Sequence, residues 1–291
     1  MRNVTKDNIT DAFQGYMGKD TDPRLKEVLM SLTRHLHAFV KEVNLTHAEW
    51  EKGIEMLEWA GEISDKERHE MVLLSDLLGV SSLVDMVNTV PGGTSSSVLG
   101  PFHVSGAPPI PLGYDMKRHY QGNVLLATGV VRDMDGNPIE GAAIDIWQTA
   151  PNGLYSSQDE EQDTYSFHGI QTVGADGRYA FTTVKPVSYE VPTDGPGGAL
   201  LDATGRHAWR PSHLHFIVKA QGYRTLVSEV FAADDPYLDQ DAVFGVREDL
   251  VMHYEDMPAG TFPDQGFDLS GKVEGDWLRV QFDLTLVRET A

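Results

Sequence analysis

The hydrophobic period of this chain changes once along its length, and that change limits the fold more than any other feature. From residue 22 to about 90, apolar residues recur three and four apart. In DPRLKEVLMSLTRHLHAFVKEV, residues Leu25, Val28, Leu29, Leu32, Leu36, Phe39, Val40 and Val43 form one stripe of a helix. Asp22 is a natural N-cap, with Pro23 at the first helical position. The pairs Thr46…Glu49, Ser64…Glu67 and Ser82…Asp85 have capping-box spacing. The pattern predicts helices over 23–43, 47–61, 65–78 and 82–88, and PGGTSSS at 91–97 ends it. From about 120 the period is two. VLLATGVVRDMDGNP reads as a strand entering a turn, AAIDIWQ as a second strand, and ADGRYAFTTVKP as a turn and a third. LRVQFDLTLV places Leu278, Val280, Phe282, Leu284 and Leu286 on one face. The Gly- and Pro-rich stretch 193–205 reads as a long loop. Strands joined by turns, with no helices between them, predict an antiparallel sandwich. The fold expected is therefore α+β, with a helical domain over 1–105 and a β-sandwich over 106–291.

Composition excludes several functions. The chain has no cysteine, so disulfides, thiol nucleophiles and Cys-ligated metals are out. Its 44 acidic and 23 basic residues give a net charge of −21, which repels nucleic acid and anionic membrane. No apolar run is long enough to span a bilayer, and the start MRNVTKDNITDAF lacks the apolar stretch of a secretory signal. A cytoplasmic location without membrane insertion is expected, and the sequons at Asn3, Asn8 and Asn44 are read as chance matches.

His-Leu-His occurs twice, and the local period separates the two copies. His35 and His37 lie within the helical stripe, where residues two apart point about 200° from each other. They flank Leu36 and cannot share one small ion. His213 and His215 lie in an alternating run, where residues two apart share a face at roughly 6.6 Å along the chain. Two imidazoles so placed can converge on zinc, copper, iron or nickel. The residues alone leave open a metal pair or an ordinary pair on a half-exposed strand. Arg210-Pro211 precedes the pair, and no Asp or Glu completes a sequential metal motif. Tyr155 and Tyr189 stand upstream at strand ends, where a tyrosine is usually a core or rim residue.

At these residues the chain resembles a known family. GVVRDMDGNPIEGAAIDIWQTAPNGLY, from Gly129 to Tyr155, is similar to the signature of the intradiol ring-cleavage dioxygenases, with Gly136, Ile144-Asp145 and the terminal Gly-x-Tyr in register. Ala127 departs from it at one apolar position. VKPVSYEVP and RPSHLHF resemble the family's second tyrosine motif and its Arg-Pro-x-His-x-His motif, and SSSVLGPFHVSGAPP resembles its catechol and hydroxyquinol branch. The resemblance covers about residues 20–290. It implies one non-haem Fe(III) per subunit held by Tyr155, Tyr189, His213 and His215. It implies O2-dependent opening of a small aromatic diol or triol between its hydroxylated carbons. Tyr189 would leave the metal on substrate binding and help take a proton, and Arg210 would stabilise negative charge on the ring. Glu229 stands where catechol-cleaving relatives often carry glutamine.

Leu99 replaces an acidic residue typical of catechol enzymes, so hydroxyquinol (benzene-1,2,4-triol) is the expected substrate and 3-hydroxy-cis,cis-muconate or maleylacetate the product. Catechol or a chlorocatechol is the alternative. By the same resemblance the pocket wall comprises Leu73, Asp76, Val98, Leu99, Gly100, Pro101, Phe102, Val191, Pro192, Ala242 and Val243. Asp76 would accept a hydrogen bond from the third hydroxyl, or else be an exposed helix carboxylate. The family also pairs through its helical region and holds a phospholipid there, which implies a homodimer with bound lipid. Two rival classes remain: a zinc or cupin-like enzyme using the two histidines, and a metal-free transthyretin-like binding module.

Overall fold

A computed structural model describes residues 2–65, 68–261 and 275–289 of the chain. The chain divides into two compact units, Met1–Glu58 and Trp59–Ala291. The helices at the N-terminal end are α1 (Ile9–Gly15), α2 (Pro23–Glu42), α3 (His47–Glu62), α4 (Glu70–Leu77) and α5 (Val80–Asn88). They are followed by β1 (Tyr114–Asp115), β2 (Val124–Asp133), β3 (Ala143–Trp147), β4 (His168–Thr172), β5 (Arg178–Val184) and β6 (Tyr189–Glu190). Then come α6 (Pro196–Thr204), β7 (Trp209–Arg210), β8 (His213–Lys219), β9 (Leu226–Ala232), β10 (Val251–Met252), β11 (Glu255–Met257), β12 (Trp277–Gln281) and β13 (Leu284–Leu286).

In the first unit, α2 begins as the sequence predicts. Asp22 accepts a hydrogen bond from Leu25 N at 2.8 Å, and Pro23 occupies the first turn. Thr46 and Glu49 form a reciprocal capping box at the start of α3. The other two boxes fare differently. Glu67 lies outside the described residues, and Ser64 Oγ accepts from Glu70 N at the start of α4. Ser82 lies inside α5, which begins two residues earlier, and its hydroxyl donates to the Phe244 carbonyl. A serine bonded to a distant loop mimicked a local cap. Helix α1 went unread because its seven residues bury nothing.

The strands of the second unit form a sandwich. One sheet runs β1-β5-β2-β12-β11, with β13 also paired to β2, and the other runs β10-β9-β8-β3-β4. Their facing sides meet in one core. Leu125, Ala127, Tyr179, Phe181 and Val280 from the first sheet pack with Ile144, Ile146, Leu214, Phe216 and Val218 from the second. The sheets are mixed rather than purely antiparallel, since β1 with β5, β2 with β12 and β13, and β9 with β10 are parallel. Hairpins force antiparallel pairing. Strands separated by a long stretch of chain are under no such constraint, and most of the sandwich lies between β2 and β12. Gly129 is fixed by close approach: a Cβ there would sit 1.9 Å from the Phe282 carbonyl oxygen, where the chain bends between β12 and β13.

The expected loop over 193–205 contains α6. Its glycines give tight packing and are not a sign of flexibility. Gly197 N donates to Glu70 Oε1 at 2.9 Å, and a Cβ on Gly197 would press Leu73 and Leu77 of α4 at 3.0 and 3.1 Å. A Cβ on Gly198 would meet the Thr193 backbone at 1.9 Å. Tertiary contact outweighs the low helix propensity of glycine. No described helix is long and apolar enough to cross a membrane.

Candidate metal centre and active site

Strand β8 has two buried faces. Leu214, Phe216 and Val218 enter the sandwich core, which turns His213 and His215 to the opposite side. Their Nε2 atoms lie 3.0 Å apart. Tyr155, from the turn after β3, places its hydroxyl 2.8 Å from His215 Nε2 and 3.3 Å from His213 Nε2. Tyr189, on the short β6–β7 ribbon, brings its hydroxyl 3.3 Å from that of Tyr155. All four side chains are 5% exposed or less. His213 Nδ1 lies 2.7 Å from the Pro211 carbonyl. That contact assigns its proton to Nδ1 and leaves the Nε2 lone pair facing the cluster. His215 Nδ1 makes no hydrogen bond, and Glu229 Oε1 lies 3.4 Å from it.

Burial favours the neutral form of each donor. It lowers His213 and, further helped by His213, lowers His215 well below the usual imidazole value. It raises Tyr189, and burial with neighbouring Tyr189 raises Tyr155 well above the usual phenol value. Neutral imidazoles are ready ligands. The phenols need a cation beside them to ionise.

Arg210 anchors the other side of the cluster. In the β6–β7 ribbon it pairs directly with Tyr189. Its guanidinium grips Glu229 at 2.8 and 3.1 Å and Asp241 at 3.0 and 3.2 Å, while Nη1 lies 3.3 Å from His213 Nε2. Burial alone would raise Glu229, but Arg210 and His213 more than offset it and hold the carboxyl below its usual value. Ser97 Oγ lies 2.5 Å from Glu229 Oε2 and 2.7 Å from the Gly245 carbonyl. Arg210 is therefore fixed in place between two carboxylates.

The expected wall residues are placed as follows. Leu73, Val98, Phe102, Val191, Ala242 and Val243 share one apolar cluster with Tyr155 and Tyr189. Phe102 stacks on Tyr155 with ring centroids 4.9 Å apart. A Cβ on Gly100 would come 3.8 Å from His215 Cε1. Pro101 is buried, Pro192 half-buried, and Leu99 is 42% exposed and outside the cluster. Asp76 is buried, its Oδ1 has no hydrogen-bond partner, and burial raises its pKa to about 6. The first His-Leu-His copy behaves differently: His37 Nδ1 pairs with Thr10 Oγ1 at 3.0 Å, while His35 Nε2 lies beside Arg34. Sequence reasoning missed Asp241, Ser97 and Trp147. Trp147 stacks on His215 at 4.5 Å with the rings nearly parallel, and it faces His215 across the β3–β8 ladder. Ser97 and Asp241 lie in segments outside the regular strands, so no period in the sequence points to them.

A family described as dioxygenase matches residues 103–286, and one described as catechol dioxygenase N terminus matches residues 22–91. The chain belongs to the intradiol ring-cleavage dioxygenase family. It is 48% identical over 237 residues to hydroxyquinol 1,2-dioxygenase of Rhizobium sp. (strain MTP-10005), covering 80% of each chain. The structure of hydroxyquinol 1,2-dioxygenase from Pseudomonas putida DLL-E4 is similar with a TM-score of 0.85 and 43% identity, covering 98% of this chain and 97% of that one. Wild-type catechol 1,2-dioxygenase of Acinetobacter radioresistens is similar with a TM-score of 0.81 and 29% identity, covering 100% and 95%. The family implies a non-haem iron enzyme acting on an aromatic substrate with O2.

Proposed function

We propose that this dioxygenase cleaves hydroxyquinol, using one Fe(III) per subunit held by Tyr155, Tyr189, His213 and His215. The observation that carries this reading is the convergence of two phenol oxygens and two imidazole nitrogens, spaced 2.8 to 3.3 Å, in one buried cluster. Such spacings match ligands about a shared ion, and hard oxygen donors with imidazole suit iron. Identity points to the triol, since hydroxyquinol relatives stand at 48% and 43% and catechol relatives at 33% and 29%.

When bound, Fe(III) supplies the Lewis acidity that favours the diol dianion and activates the ring toward O2. The remaining work falls to side chains. Tyr189, as a phenolate, accepts a proton from a substrate hydroxyl. Arg210, held by Glu229 and Asp241, presents Nη1 toward the cluster and offsets negative charge there. Phe102, Val98 and Val191 keep water from the reacting ring. The unpartnered Oδ1 of Asp76 accepts from the third hydroxyl. Domains dividing near residue 105, a homodimer through the helices, a bound phospholipid and a cytoplasmic location belong to the same proposal. The two matched family segments, 22–91 and 103–286, support that division.

The test is an absorbance spectrum of the purified protein, before and after anaerobic addition of hydroxyquinol and then catechol. Tyrosinate–Fe(III) charge transfer should colour the protein red-brown, and hydroxyquinol should shift the band at lower concentration than catechol. A colourless zinc-containing or metal-free protein would overturn the iron reading. Faster turnover of catechol would overturn the substrate. Asp76→Ala should lower kcat/KM for hydroxyquinol by more than for catechol, with discrimination of up to ~10⁴-fold available when a buried group is built for a substrate hydroxyl.

A further inference from the structure

A second cluster of metal-ligating side chains lies behind Trp147. Asp145 of β3 stands between two imidazoles, with Oδ1 2.6 Å from His168 Nε2 and Oδ2 3.0 Å from His103 Nε2. The ladder explains the first contact. Trp147 faces His168 across β3 and β4, and Asp145, two residues from Trp147, shares its side of the sheet. His103 arrives from the segment that carries Val98 and Phe102 into the apolar wall. One donor atom from each of the three residues lies within 4.8 Å of the other two. The side chains of His103, Asp145 and His168 are 16%, 16% and 3% exposed, which leaves a solvent path for a cation and its water.

We propose that His103, Asp145 and His168 form a second, non-catalytic site for a divalent transition cation of the zinc type. Two imidazoles and one carboxylate are the donor set that zinc takes when it keeps an open position for water. Two ligands about 2.1 Å from a shared ion lie roughly 3 to 3.4 Å apart, close to the 2.6 and 3.0 Å that separate the Asp145 oxygens from the two imidazole nitrogens. Calcium and magnesium, which take oxygen ligands, do not fit two nitrogens. The carboxylate is held ready: burial would raise Asp145, but the two imidazoles outweigh it and bring its pKa to about 2. The bound ion would tie the 98–103 segment to β3 and β4, and so steady Phe102 where it stacks on Tyr155. One indole separates the two sites, because the Trp147 ring contacts His103 at 4.7 Å on one side and His215 at 4.5 Å on the other. The site does not depend on which metal or diol the first site takes.

The experiment titrates Zn²⁺ into the iron-loaded enzyme by calorimetry, with elemental analysis of iron before and after, and repeats it with Co²⁺ read by its visible absorption. We expect one equivalent of saturable binding, with iron content unchanged. His103→Gln and Asp145→Asn should each weaken that binding at least tenfold while the tyrosinate–iron colour stays. His103 lies in a connecting segment, so its variant keeps the test if changes within the strands prevent folding. Absence of saturable binding, displacement of iron by the added zinc, or equal binding in wild type and His103→Gln would each overturn the proposal.

Discussion

At the scale of single residues, burial decides what each polar group can do. Asp76 shows it most directly, because its carboxyl is buried with one oxygen unpartnered and its pKa is raised to about 6. A carboxyl raised in the folded state penalises folding in its ionised form. The penalty is absent below about pH 4, where folded and unfolded chains are both protonated. It grows between pH 4 and 6 and is complete above, reaching about 3 kcal/mol. In the iron-free protein, Asp76→Asn should therefore resist urea better than wild type at pH 8, with the advantage gone by pH 4. An equal midpoint at both pH values would show that Asp76 reaches solvent. The two His-Leu-His copies give a second prediction. His213→Ala or His215→Ala should lose iron and activity, whereas the double change His35→Ala with His37→Ala should keep both, checked by metal content and turnover. Glu229 adds a third. It and Asp241 are the carboxylates that hold buried Arg210. Glu229→Ala leaves Arg210 paired with Asp241 alone and removes two charge-assisted hydrogen bonds to the guanidinium, and it should cost about 1.5–3 kcal/mol in urea unfolding.

Among the elements, α6 and α3 show glycine with opposite meanings. Gly198 sits in α6 with the Thr193 backbone where a Cβ would go. Gly53 sits in α3, exposed, with nothing within 4 Å of a Cβ. Alanine is the better helix former at both positions. Gly53→Ala should raise stability by about 0.4–1 kcal/mol through the unfolded chain. Gly198→Ala should instead cost roughly 1–3 kcal/mol or more, since the contact is with backbone and only a shift of α6 relieves it. Thermal melts of the two variants, moving in opposite directions, check the pair.

For the whole molecule, the feature still to be accounted for is the apolar face of α2. Leu25, Leu32, Leu36 and Phe39 are each about half exposed along one stripe of a 20-residue helix, and Val43 at its C-cap is half exposed too. In the proposed dimer this uncovered stripe is the association surface. A closed two-fold pairing of like stripes is the simplest arrangement that hides it. Light scattering at micromolar concentration should return twice the 32.2 kDa chain mass. Leu32→Glu with Phe39→Glu should shift it toward the monomer. A wild-type monomer at that concentration would sink the proposed dimer, and lipid extraction of the purified protein tests for the phospholipid.

The sequence by itself determined the two periods, the start of α2, the strands β2, β3, β5 and β8, the alternating run that the structure divides into β12 and β13, and the shared face of His213 and His215. Each follows from a repeat of 3.6 or 2 residues, which is a local property of the chain. The placement of Tyr155 and Tyr189 came from resemblance to a family, because no period links a tyrosine after β3 and one on a two-residue strand to β8. Only the tertiary structure decided the rest. It made helix α6 out of apparent loop residues, since the contacts of Gly197 with Glu70, Leu73 and Leu77 lie far outside any local window. It put Ser82 against Phe244 and paired β2 with β12 in parallel. It enclosed Arg210 between Glu229 and Asp241, residues 19 and 31 positions away. Electrostatic pairing in a buried site depends on which segments the fold brings together, and their separation along the chain leaves no trace in the local pattern.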